Sequence, residues 1–216
     1  MDPTDDAAWS QLTGYWSLPP GTIYLNHGSF GLAPNVVRKA RQHWQDAMDG
    51  QPMDFFVRCL EPAWRDARDR LAAFVAVPAS DLIFVENATV GMNIVADSFP
   101  LAAGDEVLLT DHEYGAVKRI WQRACEKAGA TVRVVALPLP FRSAAETVDA
   151  IFAAVHDRTR LIVVSHIASP TAVILPVAEI CRRARTRNIA VAIDGPHAVA
   201  QVSHGRRRDT PSHRQW

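Results

Sequence analysis

The chain contains neither GxGxxG nor GxxxxGK followed by Ser or Thr, so no glycine-rich loop marks a dinucleotide or nucleoside triphosphate site. It has no run of about eighteen apolar residues, the length that would span a bilayer. Its first residues, MDPTDDAAWSQ, are acidic rather than basic and then apolar, which is not the pattern of a secretory leader. Cysteine is scarce: Cys59, Cys125 and Cys181 are odd in number, far apart and set in helix-like segments, so they predict reduced thiols and no disulfide framework. Net charge is lacking too, with 23 basic against 23 acidic side chains, which leaves no global field to favour nucleic acid or an anionic membrane. These absences predict a soluble, cytoplasmic protein without repeats or low-complexity blocks.

What remains is globular. The 216 residues are 48% hydrophobic, enough to bury a sizeable core. TIYLN (22–26) reads as a short strand. The next segment spaces Val37, Ala40, Trp44 and Ala47 as one helix face, ending at Gly50. Pro62–Val75 repeats the pattern with Trp64, Ala67, Leu71 and Phe74, its other face charged. From residue 82, apolar runs alternate with helical patterns. The runs are LIFVE (82–86), EVLLT (106–110), TVRVVAL (131–137), RLIVVS (160–165) and IAVAID (189–194). Helices are expected over Tyr114–Ala128 and Pro176–Arg187. Near-continuous apolar strands separated by amphipathic helices predict a three-layer α/β/α fold with a mostly parallel sheet. The last residues, 203–216, break the pattern: they hold Arg206, Arg207, Arg208 and Arg214 against Asp209, with Trp216 their one large apolar side chain. A nucleic-acid patch and a solvated tail both fit such a run, and the tail is the commoner outcome.

Ligands of parallel sheets sit at the carboxyl ends of the strands. After LIFVE, Asn87-Ala88-Thr89 opens into a helix whose free N–H groups and dipole suit a phosphate; a capping role for Asn87 or Thr89 is the plain alternative. After EVLLT, both His112 and Tyr114 are flat side chains able to cover a planar ring. After RLIVVS come Ser165, His166, Ser169 and Thr171. After IAVAI, Asp194 leaves an apolar strand with no cation close by in sequence, so it asks for a positive partner. A protonated ring nitrogen would supply one, and His197 is placed to reach a phenolic oxygen on the same ring; a capping role for Asp194 at the Gly195-Pro196 turn is the competing reading. Phosphate loop, ring cover and acidic partner are together the handles of pyridoxal 5′-phosphate (PLP).

The motifs YLNHGSFG (24–31), NATVGMN (87–93), DHEYGAV (111–117), SHIASPTAVILP (165–176) and IDGPHA (193–198) resemble, in order, those of the class V aminotransferases, PLP-dependent enzymes of fold type I, and within them the isopenicillin N epimerase-like branch. The resemblance implies that Ala88 and Thr89 bind the cofactor phosphate, that Tyr114 stacks on the ring, that Asp194 pairs with the pyridinium nitrogen and that His197 approaches its O3′. It places Asn26, His27 and Ser29 on the substrate side and Arg58 near a site shared across a homodimer. Ser169 falls where the related desulfurases carry Asn, which argues against that activity. An amino acid is the implied substrate, with chemistry at its Cα. In the family the lysine that attaches the cofactor follows the DGPHA motif, in a segment like HKW. Here the lysines are Lys39, Lys118 and Lys127, so the resemblance predicts an inactive chain with no catalytic residue. The implied organisation is an N-terminal segment (1–33), a partial PLP-binding large domain (34–202) and an aberrant basic tail (203–216), without the small C-terminal domain. A non-catalytic PLP-binding or partner-subunit module is the alternative.

Overall fold

A computed structural model describes residues 5–202, and the tail at 203–216 lies outside them. The chain divides into two compact units between Asp69 and Arg70, whereas the motifs suggested a boundary at 33/34. The first unit is helical: α1 (Asp6–Ser10), α2 (His27–Phe30), α3 (Asn35–Gly50) and α4 (Pro52–Asp54), followed by a π-helical turn at Phe55–Cys59 and by α5 (Leu60–Phe74), which continues past the division. Asp5 caps α1 by accepting from the Ala8 N–H at 3.0 Å. The Trp16 indole donates to the Leu32 carbonyl at 3.1 Å.

The two N-terminal helices stand where periodicity placed them, but their apolar faces are little covered. The expected face of α3 buries nothing, and α5 buries only Ala72. The expected strand at 22–26 is absent, with Ile23 and Leu25 exposed.

The second unit opens with a further departure. LIFVE is no strand: Leu82 has extended dihedrals, yet residues 82–86 join no ladder, and Ile83 is 65% exposed. Apolar character makes a run willing to pair, but a strand exists only where a neighbour satisfies its N–H and C=O groups. Among the described residues, no sheet edge takes this run.

The remaining strands form as the pattern requires. After α6 (Ala88–Ser98) come β1 (Glu106–Thr110), α7 (Gly115–Ala128), β2 (Thr131–Val135), α8 (Ala144–Ala153), β3 (Thr159–Ser165), α9 (Val177–Arg185) and β4 (Ala190–Asp194). The sheet order is β2-β1-β3-β4, and every pairing is parallel. One face packs Val107, Leu109, Leu161, Val163 and Ala192 against α6 and α7. The opposite face packs Leu108, Ile162 and Val164 against α8 and α9. The three layers are therefore as expected, with central β1 fully buried and edge strand β2 half open. Helix α7 ends at Gly129, whose φ of 69° is reached cheaply only without a Cβ.

This topology selects one place on the sheet. The β1-to-β2 connection runs over the α6/α7 face and the β2-to-β3 connection over the α8/α9 face, so strand order reverses between β1 and β3. Such a switch point opens a crevice at the carboxyl ends of the two diverging strands.

The α6/α7 layer is anchored by Trp121, fully buried, whose indole N–H points at the Met92 sulfur 3.3 Å away. Trp121→Ala is expected to destabilise the unit by about 3–5 kcal/mol, read from the urea midpoint of far-UV circular dichroism, with Trp121→Phe costing less.

Candidate functional site

Strands β3 and β4 end side by side, Ser165 opposite Asp194. Side chains alternate along a strand, so Ser165 lies on the face of Val163 and Asp194 on that of Ala192, which is the side covered by α6 and α7. The Asp194 carbonyl accepts from the His166 N–H at 2.8 Å. The residue is only 8% exposed; among the described residues its carboxylate makes no hydrogen bond, its oxygens keep some contact with solvent, and His197 is its electrostatic neighbour. Burial pushes this carboxyl above its ordinary range, and the neighbouring His197 acts against the rise. The Gly195-Pro196 turn closes through a backbone bond from Ala198 N–H to the Gly195 carbonyl, 3.0 Å, so Asp194 is not occupied in capping it.

The amino ends of the strands show the contrast. Asp105, also buried, accepts from the Ala102 N–H at 2.9 Å and from Arg160 at 3.2 Å. Glu106 accepts from the Thr159 hydroxyl at 3.0 Å and pairs with His156 at 2.9 Å. Where the fold needs buried carboxylates for structure it surrounds them with donors, and Asp194 is left without.

At the end of β1 the two candidate ring covers separate. His112 is buried, with Nδ1 2.8 Å from the Asp111 carboxylate and its ring edge-on to Phe141 at 5.6 Å. It is not available to stack on a ligand. Burial would raise the Asp111 carboxyl, but His112 and the Leu137 N–H hold it below its ordinary range. Tyr114 stands at the N-cap of α7, 53% exposed, and keeps the open position.

Between them lies a residue for which the sequence suggested no role. Glu113, 4% exposed, accepts from the Thr110 and Ser165 hydroxyls, each at 2.6 Å. It therefore bridges the ends of β1 and β3 at the switch point. Its partner Ser165 is 52 residues away, so no local motif announces the contact.

At the start of α6, the capping and phosphate-binding readings prove compatible. Asn87 Oδ1 accepts from the Val90 N–H at 2.9 Å, which satisfies the third-position donor of the helix. The Ala88 and Thr89 N–H groups have no partner among the described residues, and the dipole's positive end adds to them. Helix α6 packs through Met92 and Ala96 into the core layer that also holds Ala192.

Ser169 is exposed at the tip of a small hairpin closed by the Ile167–Ile174 bridge. Asn26, His27 and Ser29 belong to the first unit, where His27 meets Tyr24 edge-on at 5.0 Å and Tyr24 donates to the Phe30 carbonyl at 2.5 Å. Arg58 lies in the π-helical turn, paired with Asp54. The fold thus gathers Glu113, Ser165, Asp194 and His197 at adjoining strand ends and sets Ala88, Thr89 and Tyr114 on the helices of that face. An unpaired acid, an exposed ring and free N–H groups suit a planar, cationic, phosphorylated ligand.

Comparison with known proteins identifies the family. The isopenicillin N epimerase of Amycolatopsis lactamdurans is 39% identical over 194 residues, 88% of this chain and 48% of that protein. A putative L-cysteine desulfhydrase of Oryza sativa subsp. japonica is 36% identical, over 84% of this chain and 41% of its own length. The chain spans about half the length of these curated relatives. Among solved structures, the cystine C–S lyase C-DES in complex with cysteine persulfide superposes with a TM-score of 0.75 at 25% identity, over 83% of this chain and 48% of that one. A C-DES mutant with glycine covalently linked to its PLP cofactor gives 0.76 at 24% identity, over 85% and 49%. No helix among the described residues is long and apolar enough to cross a membrane. The family model for class-V aminotransferases matches residues 23–206, and the chain belongs to that family.

Proposed function

We propose that residues 70–202 carry a PLP site and that this chain holds the cofactor without a covalent bond. The observation that carries the proposal is Asp194, a buried carboxylate without a partner in a fold that supplies partners to its other buried acids. Membership of the class V family, and the cofactor named for C-DES, support the identity of the ligand.

In this reading Asp194 accepts the proton-bearing ring nitrogen, and the ion pair offsets a desolvation cost that burial otherwise leaves uncompensated. The Ala88 and Thr89 N–H groups and the Thr89 hydroxyl donate to the phosphate. Tyr114 covers a ring face, and His197 donates to the phenolic oxygen. Ser169 serves the substrate side. When bound, PLP supplies an electron sink for charge developing at the Cα of an amino acid. The parent activity we assign is epimerisation, transamination or a related reaction at that carbon, on a homodimer.

The lysines argue against turnover by this chain. Lys39 lies in the first unit, Lys127 is in the last turn of α7, and Lys118 donates to the Asp111 carbonyl at 2.7 Å. In this reading residues 70–202 act as a PLP-binding module, alone or as a partial subunit beside an intact relative.

Titrating the purified chain with PLP should change the cofactor absorbance spectrum, and Asp194→Ala should weaken binding roughly 10- to 100-fold, the worth of one hydrogen bond to a charged group. Absence of any spectral change, or indifference to the substitution, would sink the proposal. Borohydride treatment followed by peptide mass spectrometry should find no pyridoxyl-lysine; a stoichiometric adduct at one lysine with racemase or transaminase activity would overturn the inactive assignment.

The same carboxylate predicts a pH dependence. Burial raises the folded-state pKa of Asp194, so the folded chain binds this proton more tightly than the unfolded one. The ligand-free protein therefore loses stability as pH rises from the ordinary aspartate value of 3.8 through the folded value. Asp194→Asn should restore about 1–3 kcal/mol at neutral pH and much less below the ordinary value, measured as thermal melting at the two pH values without PLP.

A further inference from the structure

Glu113 is the least exposed ionisable group at the strand ends, and the cofactor roles above do not use it. Its two oxygens meet hydroxyls on different strands, Thr110 Oγ1 on β1 and Ser165 Oγ on β3, each at 2.6 Å. The Thr110 hydroxyl is further fixed by accepting from the His112 N–H at 3.2 Å. Across the β3–β4 ladder, Ser165 is the register partner of Asp194. Two acids therefore flank one serine at the crevice between the diverging strands.

The ionisable groups around Glu113 are few and mostly engaged. On its own segment Asp111 and His112 pair with each other. From α7, Lys118 is held at the Asp111 carbonyl. Beside Ser165 stands His166, whose N–H is bonded to the Asp194 carbonyl. From the end of β4 come Asp194 and, behind it, His197, whose electrostatic influence falls on Asp194. No cation pairs with Glu113 among the described residues; burial pushes its carboxyl above the ordinary range and the charge of Asp194 adds to the rise, while the hydrogen bonds from Ser165 and Thr110 act against it. Two neighbouring acids in a low-dielectric site do not both ionise readily. The more exposed acid, with a histidine beside it, is the one suited to keep the charge.

We propose that Glu113 is a positioning residue that stays neutral, tying β1 to β3 through Thr110 and Ser165 so that Asp194 is the only carboxylate charge at the site. In the neutral form one of the two bonds reverses: the acid O–H donates to one hydroxyl while the carbonyl oxygen still accepts from the other, so both 2.6 Å contacts persist without a second anion. An ionised Glu113 would instead drive Asp194 to retain its proton, and Asp194 would lose the charge with which it meets a ring cation. The purpose of the arrangement rests on the PLP reading; the charge assignment does not.

The two are tested apart on the full chain. With carboxyl-13C-labelled glutamate and aspartate, the ligand-free protein is titrated by NMR from about pH 4 to about pH 8, a range that spans ordinary carboxyl ionisation. One glutamate signal, missing in Glu113→Gln and displaced in Ser165→Ala, should remain protonated at pH 7. The Asp194 signal, missing in Asp194→Asn, should be ionised there. Glu113 ionised at pH 7, or Asp194 protonated in its place, overturns the proposal, and Ser165→Ala identifies the signal even if Glu113→Gln does not fold. In PLP titrations, Glu113→Gln, which mimics the neutral acid, should stay within roughly threefold of the parent chain, while Glu113→Ala, which leaves two buried hydroxyls without their acceptor, should lose roughly tenfold or more. Equal losses in both would show that the anion matters and would overturn the proposal. If the parent chain binds no PLP, the cofactor reading fails, and the NMR titration still decides the charge of Glu113.

Discussion

The parallel pairing of β1 with β3 is the constraint on which the site depends. The chain leaves β1 over one face of the sheet, forms β2 at the edge, and returns over the other face to lay β3 on the free side of β1. The helices that follow β1 and β3 therefore diverge, and their strand ends cannot be closed over by a common layer. Glu113 lies in this opening and spans it with hydroxyl contacts on both sides. The pairing of β4 to β3 then carries Asp194 to the same rim. Had β3 paired with β2 instead, β2 would stand between Thr110 and Ser165 at that end of the sheet, and Glu113 could not bridge β1 to β3.

Electrostatics explains why this rim is more than the exposed end of a core. Buried carboxylates at the amino ends, Asp105 and Glu106, are surrounded by arginine, histidine, hydroxyl and backbone donors. They belong to the fold. At the carboxyl ends Glu113 meets the Thr110 and Ser165 hydroxyls and the Ser165 backbone but no cation, and Asp194 receives no hydrogen-bond donor at its carboxylate among the described residues. A group that costs stability and is left uncompensated is what a binding site for a cation contains, because the compensation arrives with the ligand. The proposed PLP site and the proposed neutrality of Glu113 are two consequences of one scarcity of positive charge.

Much of this was legible beforehand, for identifiable reasons. EVLLT, RLIVVS and IAVAID are apolar without interruption because their strands are buried on both faces, and the helices between them carry one-sided patterns because each covers one face. Asp194 stood out as a charge at the end of such a run. Where partners were lacking, the same logic misled: LIFVE and TIYLN have strand composition, but strand formation is a property of two segments, and among the described residues no sheet accepts either run. The apolar faces of α3 and α5 were legible as patterns, while their exposure was not.

Residue type alone left His112 and Tyr114 as equal candidates, since both are flat and both follow β1, and the family resemblance pointed to Tyr114. In the fold, Asp111 and Phe141 draw the imidazole inward, and Tyr114 is left at the open rim. Glu113 was invisible for a similar reason, because its meaning comes from a serine 52 residues on and an aspartate on a third strand. By itself the sequence determined the α/β class, the buried strands, the order of the family motifs and the acid at the end of β4, all of which are written in local periodicity and composition. Only the tertiary structure decided which strand ends adjoin, which ring stays exposed and which carboxylate lacks a partner, because these depend on contacts between segments that no local pattern encodes.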